Sequence, residues 1–110
     1  SCDYPDYALK VANAITSGDW ELGVLVCGTG LGISIAANKV KGIIAAPVSD
    51  TFSAEMARRH NNANIIALGE RVVGEGLALK IIDTFFDATF EGGRHEGRVE
   101  KIKMIELNNL

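Results

Sequence analysis

Little in this sequence points toward a membrane or a polyanion. No apolar run approaches the ~20 residues of a membrane span. Eleven Lys and Arg stand against 14 Asp and Glu, a net charge of −3, which argues against nucleic acid or a polybasic membrane surface as partner. Cysteine is scarce, with only Cys2 and Cys27. Two thiols are too few for a disulfide scaffold, so a reducing, cytoplasmic compartment is expected. Neither thiol has a second Cys or His at ligand spacing, and no metal site is expected. The opening stretch SCDYPDYALK lacks the basic start and apolar core of a signal peptide. Proline occurs only at positions 5 and 47, one suited to the first turn of a helix and the other to the end of a strand.

What is present reads as one α/β domain over residues 1–110. Tyr4, Tyr7, Ala8, Val11, Ala12 and Ile15 recur at helical spacing, with Asp3 as a cap, and Ser17-Gly18-Asp19 stops the run. Leu22–Val26 is short, β-branched and apolar on both faces, the pattern of a buried parallel strand. Further strands are expected at Gly42–Ala46 and Asn64–Leu68. Helices are expected at Ile33–Asn38, at Phe52–His60 capped by Asp50 or Thr51, around Leu77, Ile81 and Phe85, and around Val99, Ile102 and Ile105. Alternating elements with short connections predict a parallel sheet with right-handed crossovers. Three strands are few, and a partner chain or a preceding segment is expected to complete the sheet. The chain begins with Ser and enters its first helix almost at once, so something is expected to precede it in the parent protein.

The stretch CGTGLGIS, Cys27–Ser34, runs from the first strand into a helix, at the sheet edge where α/β proteins bind ligands. Its amides can converge on an anion. The dinucleotide pattern G-x-G-x-x-G fails, because its third glycine position is Ile33. The P-loop ending G-K-[ST] is absent too. A tight turn with purely structural glycines remains open. Cys27, beside those amides, is either a small buried hydrophobe or a thiolate poised as base or nucleophile. Arg58-Arg59-His60-Asn61-Asn62 closes a helix and reads either as a solvated basic end or as a source of an imidazole. Arg71 follows the third strand. Arg94 and Arg98, if helical, share one face and suit a phosphate. Together these groups suit proton transfer on a small phosphorylated, polar substrate.

Three segments, VLVCGTGLGISIAANKVKGIIAA, RRHNNANIIALGERVVG and FEGGRHEGRVEKI, resemble the ribose-5-phosphate isomerase type B family, with its allose- and galactose-6-phosphate isomerase relatives, over essentially the whole chain. The resemblance implies a Rossmann-like three-layer αβα sandwich around a parallel sheet. It also implies interconversion of ribose 5-phosphate and ribulose 5-phosphate through a cis-enediol, in the pentose phosphate pathway, without metal or organic cofactor. Carried over, Cys27 is the base that moves a proton between C2 and C1, and Thr29 assists at the oxygen. Gly28, Gly30 and Gly32 lend amides to the enediolate. His60 helps open the furanose ring, with Asn61 beside it, while Arg94 and Arg98 hold the phosphate and Arg71 supports the site. Some members place Ser at the thiol and a Glu further along the loop. Ser34 stands about where that Glu would fall, which favours Cys27.

Relatives acting on galactose 6-phosphate tend to lack the thiol, which favours the pentose, with six-carbon phosphates as the alternative. The family implies a homodimer, or a tetramer, with sites shared between subunits and His60, Asn61 and Arg71 reaching the neighbour's pocket. Against the family pattern, the sequence shows no N-terminal βαβ portion, roughly 40 residues carrying an Asp-His pair. The 110-residue polypeptide alone is therefore expected to isomerise poorly, and a non-catalytic sugar-phosphate-binding subunit is the rival reading.

Overall fold

The structure, a computed structural model, describes residues 3–109; Cys2 lies outside them. Eight elements follow the expected order: α1 (Tyr4–Thr16), β1 (Gly23–Cys27), α2 (Leu31–Ala37), β2 (Ala45–Pro47), α3 (Thr51–Arg59), β3 (Ile65–Gly69), α4 (Glu75–Asp87) and α5 (Arg94–Asn108). The sheet is parallel, in the order β1-β3-β2. No helix among the described residues is long and apolar enough to cross a membrane.

β3 is the central strand, and all five of its residues are buried. Alternation sends Ile65 and Ala67 to one face, where they meet Ala8 and Ala12 of α1 and Ile33 and Ala37 of α2. Ile66 and Leu68 point to the other face, against Ala54 and Ala57 of α3 and Ile81 and Phe85 of α4. A three-layer αβα arrangement results, because a strand apolar on both sides needs cover on both sides. Alanine dominates the helix faces that touch the sheet, which lets those helices sit close.

Three local expectations are corrected. Leu22–Val26 was expected to be buried on both faces, yet Val26 is 53% exposed. Among the described residues β1 pairs with β3 on one side only. A groove of about 330 Å³, lined by Val26, Leu68, Ala78 and Ile82 among others, stays open beside it. The second strand begins at Ala45 rather than Gly42. Asn64 takes the place of ladder partners there: its Oδ1 accepts from Ile44 N–H at 2.9 Å and its Nδ2 donates to Gly42 O at 2.9 Å. Asp3 occupies the N-cap of α1 but its side chain makes no capping bond. Asp50 does cap α3, accepting from Ser53 N–H at 2.7 Å and Ser53 Oγ–H at 2.9 Å, and these bonds hold its carboxyl below the usual range.

Phe85 is fully buried between α4 and the sheet, whereas Phe86 is 48% exposed. Phe85→Ala is expected to lower unfolding free energy in urea by about 3–5 kcal/mol through the cavity it leaves, and Phe86→Ala by no more than about 0.5 kcal/mol. Equal losses would contradict this assignment of the core.

Candidate active site

Two clusters of chemically able side chains form at opposite ends of the sheet. Parallel strands deliver their C-terminal ends to one edge, and Cys27 and Gly69 are register partners there. α3 leaves the sheet after β2 and runs back, so its C-cap, His60, lies at the edge where β3 begins. β1 alone puts about 13 Å between the two edges, at ~3.3 Å per residue.

At the first edge the loop after β1 folds around the sulfur. Gly30 N–H donates to Cys27 Sγ at 3.2 Å. Gly30 has φ +81, a left-handed conformation open to glycine that turns its amide back on the thiol. Burial pushes the thiol up, but the amides of Ile33, Thr29 and Gly30 and the Thr29 hydroxyl outweigh it, and Cys27 sits below the ordinary thiol value. The anion on which these amides converge is thus the sulfur itself. Thr29 Oγ1 accepts from Leu31 N–H at 3.2 Å and lies exposed beside it.

This loop is fixed by the turn after β3. Glu70 N–H donates to Cys27 O at 2.9 Å and Arg71 N–H to Gly28 O at 3.1 Å. A Cβ on Gly69 would stand 2.6 Å from the Thr29 carbonyl, so only glycine lets the two turns pass. The Arg71 side chain lies over Gly28, about 3.5 Å from where a Cβ would be. Arg71 therefore joins the thiol loop of its own chain. Gly32 has the ring of Tyr4 in the space its side chain would fill, with atoms 2.6–2.8 Å from a Cβ there. Its lack of a side chain serves the packing of α1.

At the other edge, α3 ends in a built basic cluster. Arg58 is structural: its Nη1 donates to Ala63 O at 2.6 Å and to Asn62 Oδ1 at 3.1 Å, and the guanidinium lies over the Phe85 ring. Arg59 pairs with Glu55 at 2.7 Å and with Glu91. His60 stacks on His95, with ring centroids 4.0 Å apart and planes 13° from parallel. Glu91 Oε1 is 3.6 Å from Nε2 of each ring. His95 is buried. Desolvation, with the nearby His60, Arg94 and Arg98, pulls its pKa down, against the opposing pull of Glu91. Arg94 and Arg98 lie exposed on the first turns of α5, one turn apart, and Asn61 lies exposed next to His60.

Sequence reasoning found His60, Asn61, Arg94 and Arg98 but assigned nothing to Glu91 or His95. The pair Gly92-Gly93 reads as a break, whereas both residues take positive φ and fold Glu91 onto α3, with Glu91 N–H donating to Arg59 O at 3.0 Å. Only the i, i+4 spacing of Glu91 and His95 hinted at it. The donor atoms of His60, Glu91 and His95 lie within 4.8 Å of one another, a set of the kind that holds a metal ion. The rings are nearly parallel, so their in-plane lone pairs do not converge on one point.

A thiolate-favouring loop on a parallel α/β sheet, with an imidazole and paired arginines on the same chain, suits proton transfer on a small phosphorylated substrate. The family described as Ribose/Galactose Isomerase matches residues 1–102, and the chain belongs to that family. Ribose-5-phosphate isomerase B of Escherichia coli (strain K12) is 53% identical over 104 residues, covering 94% of this chain and 70% of the relative. The solved ribose-5-phosphate isomerase B of Clostridium thermocellum superposes with a TM-score of 0.98 at 59% identity, covering 100% of this chain and 74% of the other. The Mycoplasma genitalium ribose-5-phosphate isomerase B, solved with bound ribulose 5-phosphate, superposes with a TM-score of 0.90 at 48% identity, covering 96% and 70%.

The donors around the sulfur make a measurable prediction. Alkylation of Cys27 by iodoacetamide, followed on its own peptide, is expected to rise with pH through a midpoint below the ~8.5 of a free thiol. Gly69→Ala, which displaces Thr29, is expected to move that midpoint back upward. A wild-type midpoint at or above the free value would refute the thiolate-stabilising loop.

Proposed function

We propose that the protein interconverts ribose 5-phosphate and ribulose 5-phosphate, in sites assembled from two copies of the chain. The single observation that carries this is the amide-ringed, partly accessible sulfur of Cys27, in a chain whose relatives are ribose-5-phosphate isomerases. The bound ribulose 5-phosphate in one relative supports a pentose phosphate as the substrate class.

The chemistry follows from the residues. The hydrogen on C2 of an open-chain aldose phosphate is weakly acidic, so the base must be anionic and the developing oxyanion must be stabilised. The Cys27 thiolate takes the C2 proton, and charge collects on O1. Loop amides not turned onto the sulfur, those of Gly28 and Gly32, stabilise it while Gly30 N–H stays on the thiol, and the Thr29 hydroxyl carries a proton from O2 to O1. Cys27 then returns its proton to C1, which leaves the C2 ketone. Arg94 and Arg98 grip the phosphate with forked donors. Arg71, over the loop, adds positive charge near the oxyanion. His60, with Asn61 beside it, serves ring opening.

A five-carbon phosphate is too short to join groups at opposite edges of one sheet. The separation of Cys27 from His60, Arg94 and Arg98 therefore supports a homodimer in which one protomer supplies the thiol loop and its partner the imidazole and the phosphate clamp.

Two experiments on the full-length protein test this. Cys27→Ala is expected to abolish isomerisation while ribulose 5-phosphate still binds by calorimetry, and Arg94→Ala and Arg98→Ala to raise KM at least about tenfold. Unchanged turnover in Cys27→Ala would remove the thiol from the reaction. Co-refolding equal amounts of Cys27→Ala and His60→Ala proteins, each inactive alone, is expected to restore about a quarter of wild-type activity, since half the dimers then hold one intact site. No recovery would place thiol and imidazole in one protomer's site.

A further inference from the structure

Glu91 has no part in the chemistry above, yet its exposed carboxylate meets three side chains, Arg59, His60 and His95. One oxygen, Oε2, is held by Arg59, which Glu55 holds in turn. The other, Oε1, faces two imidazoles at the same distance of 3.6 Å. The backbone is fixed as well: Glu91 N–H donates to Arg59 O, and His95 N–H donates to Gly92 O at 3.0 Å. A carboxylate held at the Nε2 edges of two stacked rings acts electrostatically on both.

We propose that Glu91 is a positioning residue that keeps one proton on the His60–His95 pair and directs it to His60, the ring that meets the sugar. The proposal rests on the reading that His60 opens the furanose ring. The anionic oxygen favours one positive imidazole. A second, stacked at 4.0 Å, would be repelled by the first. Between the two rings the choice is set by surroundings. His95 is buried, with Arg94 and Arg98 on its own helix opposing charge, and its pKa is lowered. His60 is more accessible, and from α3 it shares its surroundings with Glu55 and Arg59, which neutralise each other. His95, buried and stacked against it, is the platform that fixes the ring plane of His60.

In ring opening, the C1–O4 bond breaks and its electron pair takes the proton from His60. The O1–H proton passes to water as C1=O forms, and His60 is reprotonated from solvent. A carboxylate that favours the charged imidazole supports turnover up to a higher pH than the imidazole alone would.

Glu91→Gln keeps the shape and removes the charge. Ribulose 5-phosphate cannot close a five-membered ring, so exchange of its C1 hydrogen with D₂O, followed by NMR, reads the thiol chemistry without ring opening. In the full-length protein, Glu91→Gln is expected to lower turnover of ribose 5-phosphate about tenfold, to move the high-pH fall of that activity to lower pH, and to leave the deuterium exchange within about twofold. Glu91→Asp, which keeps the charge, is expected to recover part of the loss and the wild-type pH profile. If Glu91→Gln reduces exchange and turnover alike, or leaves the pH profile in place, Glu91 is merely structural and the proposal is overturned. If instead Cys27→Ala retains exchange, the thiol reading itself fails, a separate outcome.

Discussion

Two backbone hydrogen bonds, from Glu70 to Cys27 and from Arg71 to Gly28, join the turn after β3 to the loop after β1, and the thiol's environment depends on them. They hold the loop against the most buried strand in the molecule, so the amide of Gly30 stays aimed at sulfur without any side chain to steer it. Charge stabilisation by main-chain dipoles works only where the dipoles cannot reorient. The close pass of Gly69 under Thr29 is what makes reorientation difficult here. Sheet, loop and reactive atom form one rigid unit.

The second cluster is built differently. Side chains fix it: Arg59 to Glu55 and Glu91, Glu91 to both imidazoles, one imidazole to the other. Its residues come from two stretches of chain, 55–60 and 91–95, that meet at the end of α3. This division explains the location of the pieces. A parallel sheet offers its strand-to-helix loops at one edge and the C-termini of the returning helices at the other, so a reaction that needs an amide-lined anion and a proton-bearing imidazole draws on both edges, and two chains can bring them together.

The sequence carried some of this more openly than the rest. Elements with strong periodicity, such as α1 and α4, and continuous apolar runs, such as β3, were legible because local pattern and burial agree. The glycine-rich loop and its thiol were legible because spacing along the chain determines what a tight turn can do. Val26 misled because a strand's burial depends on its neighbours, and β1 has one described neighbour only. Gly42–Ile44 misled because a single asparagine, Asn64, substitutes for a ladder. Glu91 and His95 were silent because their meaning arises from a turn through two positive-φ glycines and a contact with a helix some 30 residues earlier. Such long-range juxtapositions leave no periodic trace.

Arg58 bears on all this from a position one might overlook. Its guanidinium closes onto Ala63 O and Asn62 and rests over Phe85, leaving its Nε buried without a partner. Helix C-termini ordinarily fray, but unwinding this one would strip the guanidinium from its aromatic seat and its carbonyl together. The terminal turn that carries His60 is thereby welded to the hydrophobic interior, so its amides should exchange with solvent only when the whole domain opens.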